Sequence, residues 1–261
     1  MKKIIKEGGK GLINGIEQSL HYNSMIAASG SDVTDGFMIK LLAKLNIGGA
    51  TVYITSTHVC TAMISLAIII FALIVNRKIK KANVEDTPSG IVNISELIVE
   101  TLDNFVESIM GKEAKRFVNY VSTLFIFVLL CNISGVLGLR APTADYGMTL
   151  PLGLITFGMV HYCGIKKNKL KHFTDMCKPL PLTPINIVGE VAVPISLSFR
   201  LFGNVVSGTV LMGLVYGLLP TILTVAIPSF LHAYLDIFSG CLQAFVISML
   251  TMVYVNDKIA D

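Results

Sequence analysis

Long stretches of apolar residues are the feature that most constrains the fold of this chain. Several run for about 20 residues with almost no charge, which is the length that an α-helix needs to cross roughly 30 Å of hydrocarbon. The 261 residues are 53% hydrophobic and only 15% charged, with a mean hydropathy of +0.69. Barrel strands would need shorter, alternating segments. The sequence therefore predicts an all-α integral membrane protein and excludes an ordinary soluble domain.

The apolar stretches, together with the cations that flank them, predict a membrane topology. Five spans are expected, at about residues 52–75, 117–137, 148–164, 182–219 and 222–255. Lysine and arginine cluster after the first span, at 77–81, and after the third, at 166–171. Such clusters favour the cytoplasmic side, so the N terminus is expected outside and the C terminus inside.

Two regions outside the spans show helical spacing. Residues 1–50 are a mixed polar, N-terminal outer or interfacial segment, and residues 51–261 are expected to form a single transmembrane helical domain. Apolar residues in the N-terminal segment predict a helix on the membrane surface; they are Phe37, Met38, Leu41, Leu42 and Leu45. An amphipathic interfacial helix is predicted over residues 91–110, because one face is apolar and the rest is acidic.

The last two spans are too long to cross a bilayer upright. Each exceeds 30 residues. At 1.5 Å per residue each would measure about 50 Å, well over the hydrocarbon thickness. We therefore expect them to tilt steeply, to bend, or to lie partly along the membrane plane.

Three charged residues occur in the otherwise apolar stretch between Leu182 and Asn256: Glu190, Arg200 and Asp236. Placing such a side chain at mid-membrane costs at least about 2.5–3.5 kcal/mol, so each needs a partner, a watery cavity or a function. Arg200 is the only arginine deep inside an apolar segment. It could be a snorkelling side chain or a structural ion pair. It could also serve transport.

Small and polar residues share one helical face with each buried charge. The first stripe contains Ser196, Arg200, Gly203, Asn204, Ser207 and Gly208. The second contains His232, Asp236, Ser239, Gly240 and Gln243. Either stripe alone is also typical of close helix packing. Together, one cationic and one anionic, they predict an ion path between two helices.

The chemistry of arginine narrows the role of Arg200. A guanidinium does not release its proton at physiological pH, so it acts as a fixed positive charge. Such a charge makes a nearby carboxylate easier to ionise and can force it to give up its ion. The sequence supplies no obvious mobile carboxylate of its own, which points to another subunit.

The segment Pro194-Ile-Ser-Leu-Ser-Phe-Arg200-Leu-Phe-Gly-Asn204 resembles the signature of the F-type ATP synthase subunit a family. Leu139-Arg-Ala-Pro-Thr-Ala-Asp145 and Leu242-Gln-Ala-Phe245 extend the resemblance, which covers roughly residues 90–257. It implies five spans, the last two tilted steeply against a ring of c subunits. It also implies two aqueous half-channels that lead ions to the c-ring carboxylates, couple ion flow to rotation, and are separated by Arg200.

The same resemblance assigns roles to single residues. By match, the outer path would be lined by Asn204, Asp236 and Gln243, with His232 on the same stripe. Ser196 and Glu190 would belong to the inner path, and Asp145 and Asn132 are further carry-overs. Some members have a glutamate at the position of Thr209 and a histidine at that of Asp236, so here the proton-accepting role would fall on Asp236.

The resemblance also implies partners and a location. Partners would be the c ring, the b subunits of the peripheral stalk, the remaining ATP synthase subunits and the lipid. A bacterial plasma membrane is expected because no presequence is evident, with an organellar inner membrane as the alternative. The coupled ion, H⁺ or Na⁺, is left open. A stand-alone secondary transporter is the rival interpretation.

Other binding functions are not expected. The cations form no basic patch interleaved with aromatic residues, so nucleic acid is not an expected partner. Walker A spacing is missing, so the chain is not expected to bind nucleotide or to be an enzyme on its own. No cofactor or metal site is predicted, and the five cysteines are expected to be small apolar side chains.

Overall fold

The computed structural model describes residues 41–47, 50–81, 90–137, 139–168, 183–218 and 226–259. Strands β1 (Leu41–Ile47) and β2 (Ala50–Thr55) form an antiparallel hairpin, and the rest is mainly helical. The helices are α1 (Ser56–Lys81), α2 (Gly90–Met110), α3 (Ala114–Ile133), α4 (Tyr146–Asn168), α5 (Thr183–Leu218), α6 (Ala226–His232) and α7 (Ser239–Ile259). A π-helical segment, Ala233–Phe238, joins α6 to α7 without a break, and we call residues 226–259 the C-terminal helix.

In the part of the chain that the structure describes, five helices are long and apolar enough to cross a membrane, which confirms the predicted fold class. They are Ser56–Lys81, Ala114–Leu137, Tyr146–Lys167, Thr183–Leu218 and Ile227–Ile259. Helix α2 coincides with the predicted amphipathic helix, and its place at the membrane surface stays a prediction. Gly111, at the turn from α2 toward α3, has a φ of 54°, a left-handed conformation that glycine adopts without steric cost.

The predicted N-terminal surface helix is wrong where the structure describes it. Leu41, Leu42 and Leu45 lie in β1, while Phe37, Met38 and the rest of 1–40 lie outside the described residues. The first span also begins at Ser56, because Val52 to Thr55 belong to β2. A short apolar run fits helix or strand equally well, and β2 is rich in β-branched residues, which favour a strand.

The helices pack around two apolar clusters. One joins α2, α3, α4 and α7 and contains Val106, Met110, Ala114, Phe117, Val121, Val160, Cys163, Met252 and Val255. The other joins α3, α5 and α7 and contains Leu124, Val128, Leu197, Leu201, Ala244 and Ile247. Cys60, Cys131 and Cys163 are buried and Cys241 is half-buried, as expected for small apolar side chains, whereas Cys177 is outside the described residues. Helix α1 leaves most of its apolar side chains exposed, as a lipid-facing helix does.

Helix α5 and the C-terminal helix lie antiparallel along their length. Paired positions run in opposite directions along the two helices: Glu190 with Lys258, Asn204 with Ser239, Gly208 with Leu235, and Tyr216 with His232. The 36 residues of α5 measure about 54 Å, so a bilayer of about 30 Å requires this helix to tilt.

A backbone contact fixes α5 against α4. A Cβ atom placed on Gly153 of α4 would lie 2.5 Å from Ser198 Oγ and 2.6 Å from the carbonyl oxygen of Pro194. The Ser198 hydroxyl donates to that same carbonyl at 2.6 Å. Only glycine fits at this crossing, two residues from Arg200 along α5.

Candidate functional site

Arg200 lies on the exposed side of α5. Its neighbours Leu197 and Leu201 point the other way, into the cluster shared with α3 and α7. Among the residues that the structure describes, none forms an ion pair or hydrogen bond with Arg200. Because an unpaired charge in hydrocarbon is costly, this guanidinium needs water or a partner other than the described residues.

The predicted polar stripe of α5 divides into two parts. Four of its members are exposed together and form what we call the arginine face: Ser196, Arg200, Gly203 and Ser207. Asn204 instead faces the C-terminal helix, where its Nδ2 and Oδ1 lie 2.8 Å and 3.0 Å from Ser239 Oγ. Gly208 also packs there, since a Cβ on it would lie 3.8 Å from Leu235 Cβ.

Asp236 lies in the π-helical segment of the C-terminal helix and pairs with His232. The Asp236 Oδ2 atom is 2.6 Å from His232 Nδ1. The other ring nitrogen, Nε2, is 3.2 Å from the hydroxyl of Tyr216 near the end of α5. The polar stripe in the sequence predicts His232 and Asp236 but not Tyr216, because the partner of Tyr216 comes from another helix. π-Helical turns occur frequently at functional sites.

Glu190 is paired near the opposite end of α5. Its Oε1 atom lies 2.7 Å from Lys258 Nζ, with both side chains largely buried. Lys167 Nζ donates to the carbonyl oxygen of Ile259 at 2.7 Å. These contacts tie the end of the C-terminal helix to the start of α5 and the end of α4. Lys258 was not predicted as a partner, because it lies beyond the predicted span.

Arg200 lies between these two polar sites. At a rise of about 1.5 Å per residue, it is about 15 Å along α5 from Glu190 and about 24 Å from Tyr216. Asp236 is paired with His232 and, in the described structure, not with Arg200. The two charges predicted on facing stripes are therefore not partners of each other.

Asp145 shapes the start of α4. Its Oδ1 atom accepts a hydrogen bond from the Gly147 amide at 2.9 Å. Its carbonyl oxygen accepts from the amides of Met148 and Thr149. These are the bonds of a helix cap, so the structure gives this residue a local role and does not bring it to Arg200.

Asn132 joins α3 to the C-terminal helix. Its buried side chain donates to the Gly240 carbonyl at 3.1 Å and accepts from the Thr143 hydroxyl at 2.8 Å. A Cβ on Gly240 would lie 3.0 Å from Asn132 Cβ, so the two helices touch closely here. Gln243 lies half-buried less than one turn further along the C-terminal helix.

The chain matches one family of known proteins over most of its length. Residues 58–256, from α1 to α7, match the sequence model of the family described as ATP synthase A chain. The chain is 36% identical over 212 residues to the "ATP synthase subunit a, sodium ion specific" of Propionigenium modestum, which covers 74% of this chain and 72% of the relative. It is 35% identical over 207 residues to the chloroplastic ATP synthase subunit a of Stigeoclonium helveticum (74% and 80%), and 31% identical over 231 residues to ATP synthase subunit a 3 of Pelobacter propionicus (86% and 95%).

Proposed function

Because the chain belongs to the ATP synthase A chain family, the ion-translocating stator subunits of the membrane sector, we propose that Arg200 is the fixed charge that meets the carboxylates of the c ring. The observation that carries this proposal is the exposure of Arg200 on a long apolar helix, without a partner among the described residues. A ring carboxylate that reaches Arg200 would lose its ion, because a nearby cation favours the ionised form.

Two half-channels would meet the ring on either side of Arg200. Toward the Glu190 end lies Ser196, and we assign these two residues to the inner half-channel. Toward the Tyr216 end lie Asn204 and Asp236, which we assign to the outer one. His232, Gln243 and Asp145 are further candidates for the outer path. Arg200 would then keep ions from leaking between the two half-channels.

The chain is a multi-pass membrane protein that belongs to the ATP synthase complex. The rival interpretation as a stand-alone transporter is therefore wrong. We propose a bacterial plasma membrane, in line with the bacterial relatives, and an organellar membrane as the alternative, since chloroplast relatives also match. The exposed apolar side of α1 is available to lipid and to the b subunits of the peripheral stalk. Nucleotide chemistry we assign to other subunits.

Asp236→Asn is expected to slow ATP-driven ion pumping by about two orders of magnitude while the complex still assembles. Asparagine keeps the size of the side chain and can still accept from His232, but it cannot take up a proton, and a positioned acid or base contributes about 10²-fold or more. The measurement is pumping by inverted membrane vesicles, normalised to assembled complex.

Asp257→Asn is the matched control for this variant. Asp257 is an exposed carboxylate at the other end of the C-terminal helix, 3.9 Å from Lys258 Nζ. Since exposed ion pairs contribute little, Asp257→Asn is expected to pump as the wild type does. Wild-type pumping by an assembled Asp236→Asn complex would show that Asp236 is structural.

A further inference from the structure

A chain of hydrogen-bonded side chains links the end of α5 to Asp236. Tyr216 Oη contacts His232 Nε2 at 3.2 Å, and His232 Nδ1 contacts Asp236 Oδ2 at 2.6 Å. Exposure falls along this chain, from 49% for Tyr216 to 38% for the side chain of His232 and 23% for that of Asp236. The three groups therefore lead from an open surface into the helix packing.

We propose that Tyr216, His232 and Asp236 form a relay that passes protons, and not sodium ions, between the outer solvent and the arginine face. The proposal rests on the function above, which assigns Asp236 to the outer path. It adds the identity of the ion, and it adds Tyr216 as a positioning residue.

The contacts define which atom carries each proton. An ionised carboxylate can only accept, so His232 Nδ1 carries the ring proton and Nε2 accepts from the Tyr216 hydroxyl. A proton that arrives from the Tyr216 side binds Nε2, and the Nδ1 proton then moves to Asp236 Oδ2. One proton enters and one leaves, so the ring is neutral again with its proton on Nε2. Loss of the Nε2 proton to water and uptake of a proton from water at Nδ1 restore the first state, and the reverse sequence releases a proton outward.

The same geometry is a poor entry for sodium. Hard cations are bound by several oxygen atoms. Here Asp236 Oδ2 already accepts a hydrogen bond from His232 Nδ1, and the next polar atom outward is the other ring nitrogen of His232, Nε2. A sodium ion held by this oxygen would have to displace His232 and break a charge-assisted hydrogen bond. A proton, in contrast, passes along the existing hydrogen bond between His232 and Asp236.

Tyr216 acts by holding the imidazole in place. It belongs to α5 and His232 to the C-terminal helix, so their contact sets the ring at the junction of the two helices. A Cβ on Gly135 would lie 4.0 Å from the Asp236 Cγ, so this glycine lies beside the carboxylate without crowding it. The contact with Tyr216 thus fixes the entry of the relay.

The identity of the ion can be tested with the whole ATP synthase in liposomes. We expect ATP to drive acidification of the lumen in sodium-free buffer, without uptake of labelled sodium when sodium is added. ATP-driven sodium uptake would overturn the relay and leave the stator function intact. An assembled complex that hydrolyses ATP and moves neither ion would overturn the proposed function as well.

Tyr216→Phe tests the relay itself. Loss of one hydrogen bond is expected to slow proton pumping about three- to tenfold, and to increase the ratio of the rates in H₂O and D₂O because proton transfer becomes limiting. Tyr234→Phe is the control, since the Tyr234 hydroxyl in the π-helical segment has no hydrogen bond among the described residues, and it should match the wild type. Wild-type pumping by Tyr216→Phe, or slower pumping with an unchanged isotope ratio, would show that Tyr216 is not part of a proton relay.

Discussion

ATP synthesis by an assembled Arg200→Ala complex is expected to fall by a factor of about ten to a thousand. A nearby cation lowers the pKa of a carboxylate by about one to three units, and each unit changes ion dissociation tenfold. Without the guanidinium, ring carboxylates would keep their ions as they pass the arginine face. Removing the fixed charge should also allow ions to pass directly between the half-channels, which a passive conductance measurement on the membrane sector would detect.

Two further variants sharpen this prediction. Arg200→Lys keeps a positive charge but loses the planar array of donors and can deprotonate when desolvated, so it should restore little activity. Arg116→Ala is the matched control, because Arg116 is exposed and pairs only weakly with Glu113 at 3.7 Å. Near wild-type synthesis by an assembled Arg200→Ala complex would contradict the proposed role of Arg200.

Gly153→Ala is expected to cause the largest loss of stability. The added Cβ would lie 2.6 Å from a backbone oxygen of α5, so α4 and α5 would have to move apart. Overpacking in a core costs about 1–3 kcal/mol, and more where the backbone must shift. We expect less assembled complex in the membrane and a lower temperature of dissociation for what remains.

Gly158→Ala provides the control on the same helix. A Cβ at Gly158 meets no atom within 4 Å, and alanine favours a helix over glycine by up to about 1 kcal/mol. This variant should therefore be neutral or stabilising. If Gly153→Ala behaved in the same way, α4 and α5 would not cross as closely as the structure indicates.

Much of this fold follows from the sequence because the bilayer imposes simple rules. Length and hydropathy locate the five helices, although the third begins at Tyr146, two residues before its predicted start. Arg200 stands out for the same reason, since a charge that is costly in hydrocarbon requires a partner, a watery cavity or a function. The hairpin at Leu41–Thr55 could not be predicted, because short apolar runs do not distinguish strand from helix.

The details of the candidate site depend on neighbours that a helical wheel does not contain. One stripe on α5 became two because the C-terminal helix covers Asn204 and leaves Arg200 exposed. In the sequence, nothing distinguishes Tyr216 from other aromatic residues in apolar helices. Its contact with His232 is evident only from the structure. Pairing across helices, and the π-helical segment that carries Asp236, arise from tertiary packing.

The central claim is that the arginine face meets the c ring, and disulfide cross-linking tests it most directly. On a background without the native cysteines, Ser207→Cys and Thr209→Cys would each be combined with a cysteine on the outer surface of the c subunit. Both positions are exposed, but Ser207 lies on the arginine face, whereas Thr209 lies about half a turn around the helix axis, on the opposite face of α5. We predict a cross-linked product from position 207 and none from 209. A product from 209 alone would contradict the account.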